Sequence, residues 1–167
     1  MFFWVIIELD FSIIKAFAKM KKRFLVVDYN PDIVNSLRKQ NLNVIYGDVD
    51  DSDYIEDLRL HKSSLVVSTI PDLETSKLIL DILKRKNFEG IIILTTRSIN
   101  NAFDLYNAGA DYVILPHFLG GEYVSKLIID AKTDKKVYTR EKRKEIDILK
   151  KRLKIGHEHP DIERDYK

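Results

Sequence analysis

Phe24-Leu25-Val26-Val27-Asp28-Tyr29-Asn30-Pro31 is a short, β-branched run that ends in a carboxylate and passes at once into a helix start. Pro31 suits a first helical turn, and Ile33, Val34 and Leu37 follow at the spacing of one buried helix face. A strand that feeds a helix through so short a turn is half of a parallel crossover unit, so this stretch predicts an α/β fold.

The same alternation recurs on both sides of it. Strands are predicted near residues 2–7, 24–28, 43–46, 65–68, 91–95 and 111–114. Asp72 stands ahead of Leu73, Leu78, Ile79, Ile82 and Leu83, and Ser98 ahead of Ala102, Phe103, Leu105 and Tyr106, each as the cap of an amphipathic helix. Gly109 closes the second of these, and Asp51 or Ser52 suits the cap of a helix after the third strand. Right-handed crossovers then predict a doubly wound parallel sheet of six strands, with the functional crevice at the carboxyl ends of the strands. Beyond Ile114, Pro116 reads as a fixed turn and Gly120-Gly121 as the turn before a last crossover helix, in which Leu119, Val124, Leu127, Ile128 and Ala131 face one way. Phe118 and Tyr123 leave a second apolar edge, expected to be a homodimer contact.

Composition bounds what such a fold does here. With 167 residues, 45% of them apolar, the chain is long enough for one well-filled core. No cysteine is present, which removes disulfides, thiolate metal sites and cysteine nucleophiles and makes the cytoplasm the expected compartment. The opening run Phe2 to Leu9 is far shorter than the roughly 20 residues of a membrane helix and lacks a basic leader, so it reads as a buried strand. The net charge of +2 is unevenly spread: residues 132–154 carry eleven Lys or Arg against four Asp or Glu, while the remainder is mildly acidic. Three parts are expected: a globular domain over 1–132, a basic helical arm over 133–155 and a polar tail over 156–167. In the arm, Ile146, Leu149 and Leu153 form one narrow apolar stripe. It has no groove-reading motif, so protein contact ranks first for it, a weak contact of residues 132–154 with an anionic membrane surface second, and nucleic acid is not expected.

The strand ends supply the candidate site. Asp28 lies where dinucleotide folds hydrogen-bond a ribose hydroxyl, or it serves the next helix start. Tyr46-Gly47-Asp48-Val49-Asp50-Asp51-Ser52 makes a tight turn whose carboxylates diverge, so no metal site is expected there; nor is one expected at His157-Glu158-His159-Pro160-Asp161. Ser68-Thr69-Ile70-Pro71-Asp72 and Thr95-Thr96-Arg97-Ser98 offer hydroxyls, amides and one guanidinium to phosphate or ribose oxygens, or simply cap helices. Chemistry is not expected: Tyr123 and Lys126 are only three apart, His117 sits in a near-apolar run, and no catalytic constellation forms. A phospho-receiver domain is disfavoured because Leu115, not a basic residue, precedes Pro116.

Taken jointly, Asp28-Tyr29-Asn30-Pro31, Tyr46-Gly47-Asp48, Ser68-Thr69-Ile70-Pro71-Asp72, and Gly109-Ala110-Asp111 through Pro116-His117 to Gly120-Gly121 resemble the TrkA-N domain. That is the amino-terminal lobe of the regulator-of-K⁺-conductance (RCK) family, particularly as found in Kef-type cation/proton antiporters. The resemblance implies a Rossmann-like cytosolic regulatory domain that binds NAD(H) or another adenine nucleotide and dimerises to control a membrane K⁺ channel or transporter. It places Asp28 and Tyr29 at the adenosine ribose, Asp48 and Val49 at the adenine, and Ser68, Thr69 and Arg97 at the phosphates or distal ribose. The chain departs from the family in its glycine loop. Counting back from Asp28 to the family's glycine loop lands on Val5-Ile6-Ile7-Glu8-Leu9-Asp10, and all six glycines of the chain lie at Gly47 or later. Glu8 and Asp10 there would oppose an incoming phosphate. A ligand-free dimerisation module on the same fold is therefore the alternative, with an NAD(P)-dependent oxidoreductase a more distant one.

Overall fold

The computed structural model describes residues 2–6, 11–49 and 51–153, and the chain divides into two compact units after Gly121. In the first unit, β1 (Phe2–Ile6), α1 (Phe11–Lys19), β2 (Arg23–Asp28), α2 (Pro31–Lys39), β3 (Val44–Tyr46), α3 (Ser52–Asp57), β4 (Leu65–Ser68), α4 (Leu73–Arg85), β5 (Ile91–Thr95), α5 (Ile99–Ala108) and β6 (Tyr112–Ile114) alternate. A single 3-10 turn, Leu60–Lys62, interrupts the alternation before β4. The strands are all parallel and run in the order β3-β2-β1-β4-β5-β6, which reverses direction between β1 and β4. That reversal is the switch point of a doubly wound sheet.

Local signals place the helices. Asn30 caps α2 by accepting from the Asp32 amide, Pro31 fills the first turn, and Ile33, Val34 and Leu37 are buried. Asp28 is therefore not the cap: it stands two residues further back and accepts from the Asn30 amide at 2.8 Å. Asp51 caps α3 and Asp72 caps α4, whereas Ser98 accepts from Asn101 at the start of α5. Among the described residues only α5 ends on a left-handed glycine, Gly109. Elsewhere Lys21, Asn41, Arg59, Asn87 and Lys132 take positive φ just past a helix end, which is how the fold manages with so few glycines.

Burial follows the registers. On one side of the sheet Val27, Val66, Ile92, Leu94 and Val113 pack with Ile55, Leu58, Ile79, Leu83 and Leu105 of α3, α4, α5 and the loops between them. Each fully buried aliphatic side chain contributes roughly 1.5–3 kcal/mol. On the other side Phe3, Phe24 and Phe17 of α1 form a tilted aromatic cluster, with ring centroids 5.1 Å (Phe3–Phe17) and 5.8 Å (Phe17–Phe24) apart. Phe3 pairs with Leu65, and Leu65 with Ile91, so these side chains share that second side. There the sheet becomes exposed towards its β6 edge: Ile91 is 52% and Tyr112 47% accessible, and Ile93 and Ile114 are only half-buried. A parallel sheet is normally covered on both faces.

α6 (Pro116–Ala131) begins directly after Leu115 and runs through both Gly120 and Gly121. This corrects the expectation of a turn at the glycine pair. Pro116 is preorganised for a first turn, and two interior glycines weaken a helix by about 1 kcal/mol each without ending it. Of the residues expected to share one face, Leu119, Val124 and Ile128 are exposed, and of the whole helix only Ala131 is buried. In the second unit, α7 (Lys135–Leu153) has no buried residue; Asp134 accepts from the Lys136 amide at its start, and the Tyr138 hydroxyl donates to the Lys132 carbonyl. The polar tail lies outside the described residues.

Candidate nucleotide crevice

Two buried polar residues flank the carboxyl end of β1. Ile6 pairs with Val27 on one side and with Ser68 on the other, so Asp28, one residue past Val27, and Ser68 straddle the end of the central strand. Both are essentially inaccessible. The Asp28 carboxylate is held by the Asn30 amide, and its carbonyl accepts from the Gly47 amide at 3.1 Å, which joins the β2 and β3 ends. The Ser68 carbonyl accepts from the Thr95 hydroxyl at 2.9 Å, which joins the β4 and β5 ends. The Ser68 hydroxyl itself has no hydrogen-bond partner among the described residues. An unsatisfied buried hydroxyl costs about 1–3 kcal/mol, so it marks a position a ligand oxygen could serve.

The remaining candidates separate into two groups. Thr69 is buried beside Ser68, Tyr29 is half-buried, and Asp48 and Arg97 are exposed at the same end of the sheet. Val49 is different: its side chain is in the core with Ile55 and Leu58, so only its main chain can meet a ligand. The capping alternative holds for several hydroxyls and carboxylates. Asp72 accepts from both the amide and the hydroxyl of Thr75, Thr96 accepts from the Ser98 amide, and Asp51 accepts from the Asp53 and Tyr54 amides. Among the described residues no cluster of His, Asp or Glu has the makings of a metal site, and Asp50 and the tail histidines lie outside them. Of the segment set against the family's glycine loop, residues 5–10, the first two close β1 and residues 7–10 lie outside the described residues.

Tyr54 was not singled out by the sequence as part of the site. The Tyr54 ring lies against Gly47 and its hydroxyl donates to the Tyr46 carbonyl at 3.0 Å, roofing the turn that carries Asp48. Burial pushes its phenol above the usual tyrosine range. The only signal for it was a tyrosine in the first turn of the helix that follows the Gly47-Asp48 turn, which periodicity alone does not interpret.

A six-stranded order that reverses beside β1, with a buried acid after β2 and a buried hydroxyl after β4, defines a Rossmann-like domain with a nucleotide-type crevice. The TrkA-N domain family matches residues 11–116, and the chain belongs to that family. It is similar to the glutathione-regulated potassium-efflux system protein KefC of Escherichia coli, 25% identical over 109 residues, which are 65% of this chain and 18% of that protein. The chain thus corresponds to a small part of the curated relatives it matches. In fold it is similar to the TrkA-N domain of the inner membrane protein ybaL from Escherichia coli, with a TM-score of 0.67 and 14% identity over 75% of this chain and 95% of that one. It is also similar to the Kef carboxyl-terminal domain of Shewanella denitrificans in its AMP-bound form, with a TM-score of 0.65 and 11% identity over 93% and 95% of the two chains. Among the described residues no helix is long and apolar enough to cross a membrane.

Proposed function

We propose that this chain is a cytosolic regulatory domain of a potassium or monovalent-cation transport system, a homodimer that binds an adenine nucleotide between Asp28 and Ser68 and responds by dimer rearrangement. The observation that carries the nucleotide reading is the buried Ser68 hydroxyl, which lacks a partner among the described residues at the switch point of the sheet. In this reading Asp28, with Tyr29 beside it, accepts from the adenosine ribose. Asp48 and the Val49 main chain meet the adenine, and Ser68, Thr69 and Arg97 serve the phosphates or distal ribose. NAD(H) and AMP are the first candidates, AMP because the Kef domain of similar fold holds it. Potassium transport is supported by the likeness to KefC, a potassium-efflux protein. The reading assigns no chemistry to the crevice.

The dimer is supported by two unpartnered apolar surfaces. One is the open side of β5 and β6 at Ile91 and Tyr112; the other is α6, which exposes Phe118, Tyr123, Val124, Ile128 and Ile129. Monomers rarely leave apolar surface of this extent uncovered. Mutual covering of these surfaces by two copies removes both at once and generates a closed two-fold pair.

Isothermal titration of the whole chain with NADH, NAD, AMP and ATP tests the site. Binding of at least one of them, weakened at least tenfold in Asp28→Asn, supports it; the asparagine keeps an acceptor for the Asn30 amide. A second reading, a ligand-free dimerisation module, is favoured by the branched and acidic residues Val5 to Asp10 in place of glycines. A stable dimer that takes up none of the four nucleotides would select that reading.

A further inference from the structure

We infer that α7 pairs with α7 of a second copy as a short parallel coiled coil centred on Ile146, Leu149 and Leu153. α7 is a 19-residue helix with none of its residues buried, yet these three side chains, 37%, 48% and 56% exposed, recur at intervals of three and four. They occupy a, d and a of a heptad, and Ile at a with Leu at d is the combination that favours two parallel strands. The flanking charges agree. Glu145 falls at g and Lys150 at e, and in a parallel pair each g residue faces the e residue five positions later on the other helix. Glu145 of each copy therefore meets Lys150 of the other, twice by symmetry. An antiparallel pair centred on Leu149 would instead bring the two Lys150 ammonium groups together.

The ion pairs within α7 leave this seam clear. Glu141 binds Lys144 at 2.7 Å and Arg140 at 3.7 Å, and these three occupy c, f and b on the outward face. Ile148, 41% exposed, also lies outside the seam at c. The apolar seam spans only about 12 Å of helix. Helices this short do not associate unaided. The inference therefore rests on the homodimer proposed above, which would hold the two helices at an effective concentration of about millimolar.

The chain has no cysteine, so single-cysteine variants report the pairing without background. In a glutathione redox buffer, Ile146→Cys and Leu149→Cys are expected to form the inter-chain disulfide at least tenfold faster than Ile148→Cys, which has the same apolar character on another face. In the Leu149→Cys background, Lys150→Glu slows linking and the addition of Glu145→Lys restores it. Sedimentation velocity on the same variants separates this pairing from the dimer itself. A dimer with equal linking at 146, 148 and 149 overturns the coiled coil and leaves the dimer standing, whereas a monomer overturns both. Linking of Ile146→Cys only to Leu153→Cys in mixed samples means antiparallel helices and also overturns it. Flotation with phosphatidylglycerol vesicles, without face-specific linking, would assign the helix to an anionic bilayer instead.

Discussion

The ring of Tyr54, on the first turns of α3, lies directly against Gly47, at the end of β3. A Cβ at position 47 would fall inside the van der Waals envelope of its Cζ and hydroxyl. Gly47 does not have a positive φ, so its glycine is required by this approach and not by backbone conformation. Tyr54 and Gly47 together fix the turn that carries Asp48.

Gly47→Ala is expected to destabilise the fold by about 1–3 kcal/mol, the usual cost of overpacking. Tyr54→Leu should lose most of its own effect when combined with it. A double-mutant cycle by urea denaturation measures that coupling; additive effects would mean the ring and the glycine act separately.

Tyr54→Phe removes the 3.0 Å hydrogen bond to the Tyr46 carbonyl and should cost about 0.5–1.5 kcal/mol at neutral pH. The phenol is held above its ordinary value by burial, so the native state retains this proton where the unfolded chain has lost it. Stability from this group is full below about pH 10 and declines as pH rises from there through the folded-state value. Denaturation curves between pH 8 and about 11 should therefore fall less steeply for Tyr54→Phe than for the unaltered chain.

Ser68→Ala deletes a buried hydroxyl that has no partner among the described residues. Stability should be unchanged or higher by about 1 kcal/mol, because a desolvated polar group is removed. Nucleotide affinity should fall at least tenfold in the same variant. A stability loss of several kcal/mol would show instead that the hydroxyl is satisfied in the fold.

Arg59 takes φ 53° at the end of α3, and Lys21 φ 51° at the end of α1. Glycine tolerates this conformation without the Cβ clash, so Arg59→Gly and Lys21→Gly should each raise stability by about 0.5–1 kcal/mol, net of the entropy that glycine adds to the unfolded chain. Thermal melts followed by circular dichroism measure both.

Gly120 and Gly121 have nothing within 4 Å of an added Cβ. Gly120→Ala and Gly121→Ala should strengthen α6 by about 1 kcal/mol each, seen as higher helical ellipticity and slower amide exchange across the pair. A fall in dimer affinity in the same variants would show that a second copy approaches the helix backbone there.

Strands and crossover helices were legible in residues 23–114 because their causes are local. A β-branched run between turn residues reads as a strand, and Pro31, Asp72, Ser98 and Gly109 punctuate helices through their own side chains or backbone freedom. Asp28 and Ser68 could be named from the sequence because a parallel sheet always delivers its strand ends to one edge. Their roles could not, since an N-cap and a ribose acceptor draw on the same residue types. Tertiary structure decided the local half of the question: Asn30 took the cap of α2, Val49 turned into the core, and Thr95 bound the Ser68 carbonyl but left its hydroxyl. The same holds for α6. Its apolar residues read as one face and a second edge, but periodicity records only that a face is apolar and not whether it is covered. Burial is a property of the assembled chain, so the exposure of α6 and of the β5–β6 face emerged only once the sheet was built.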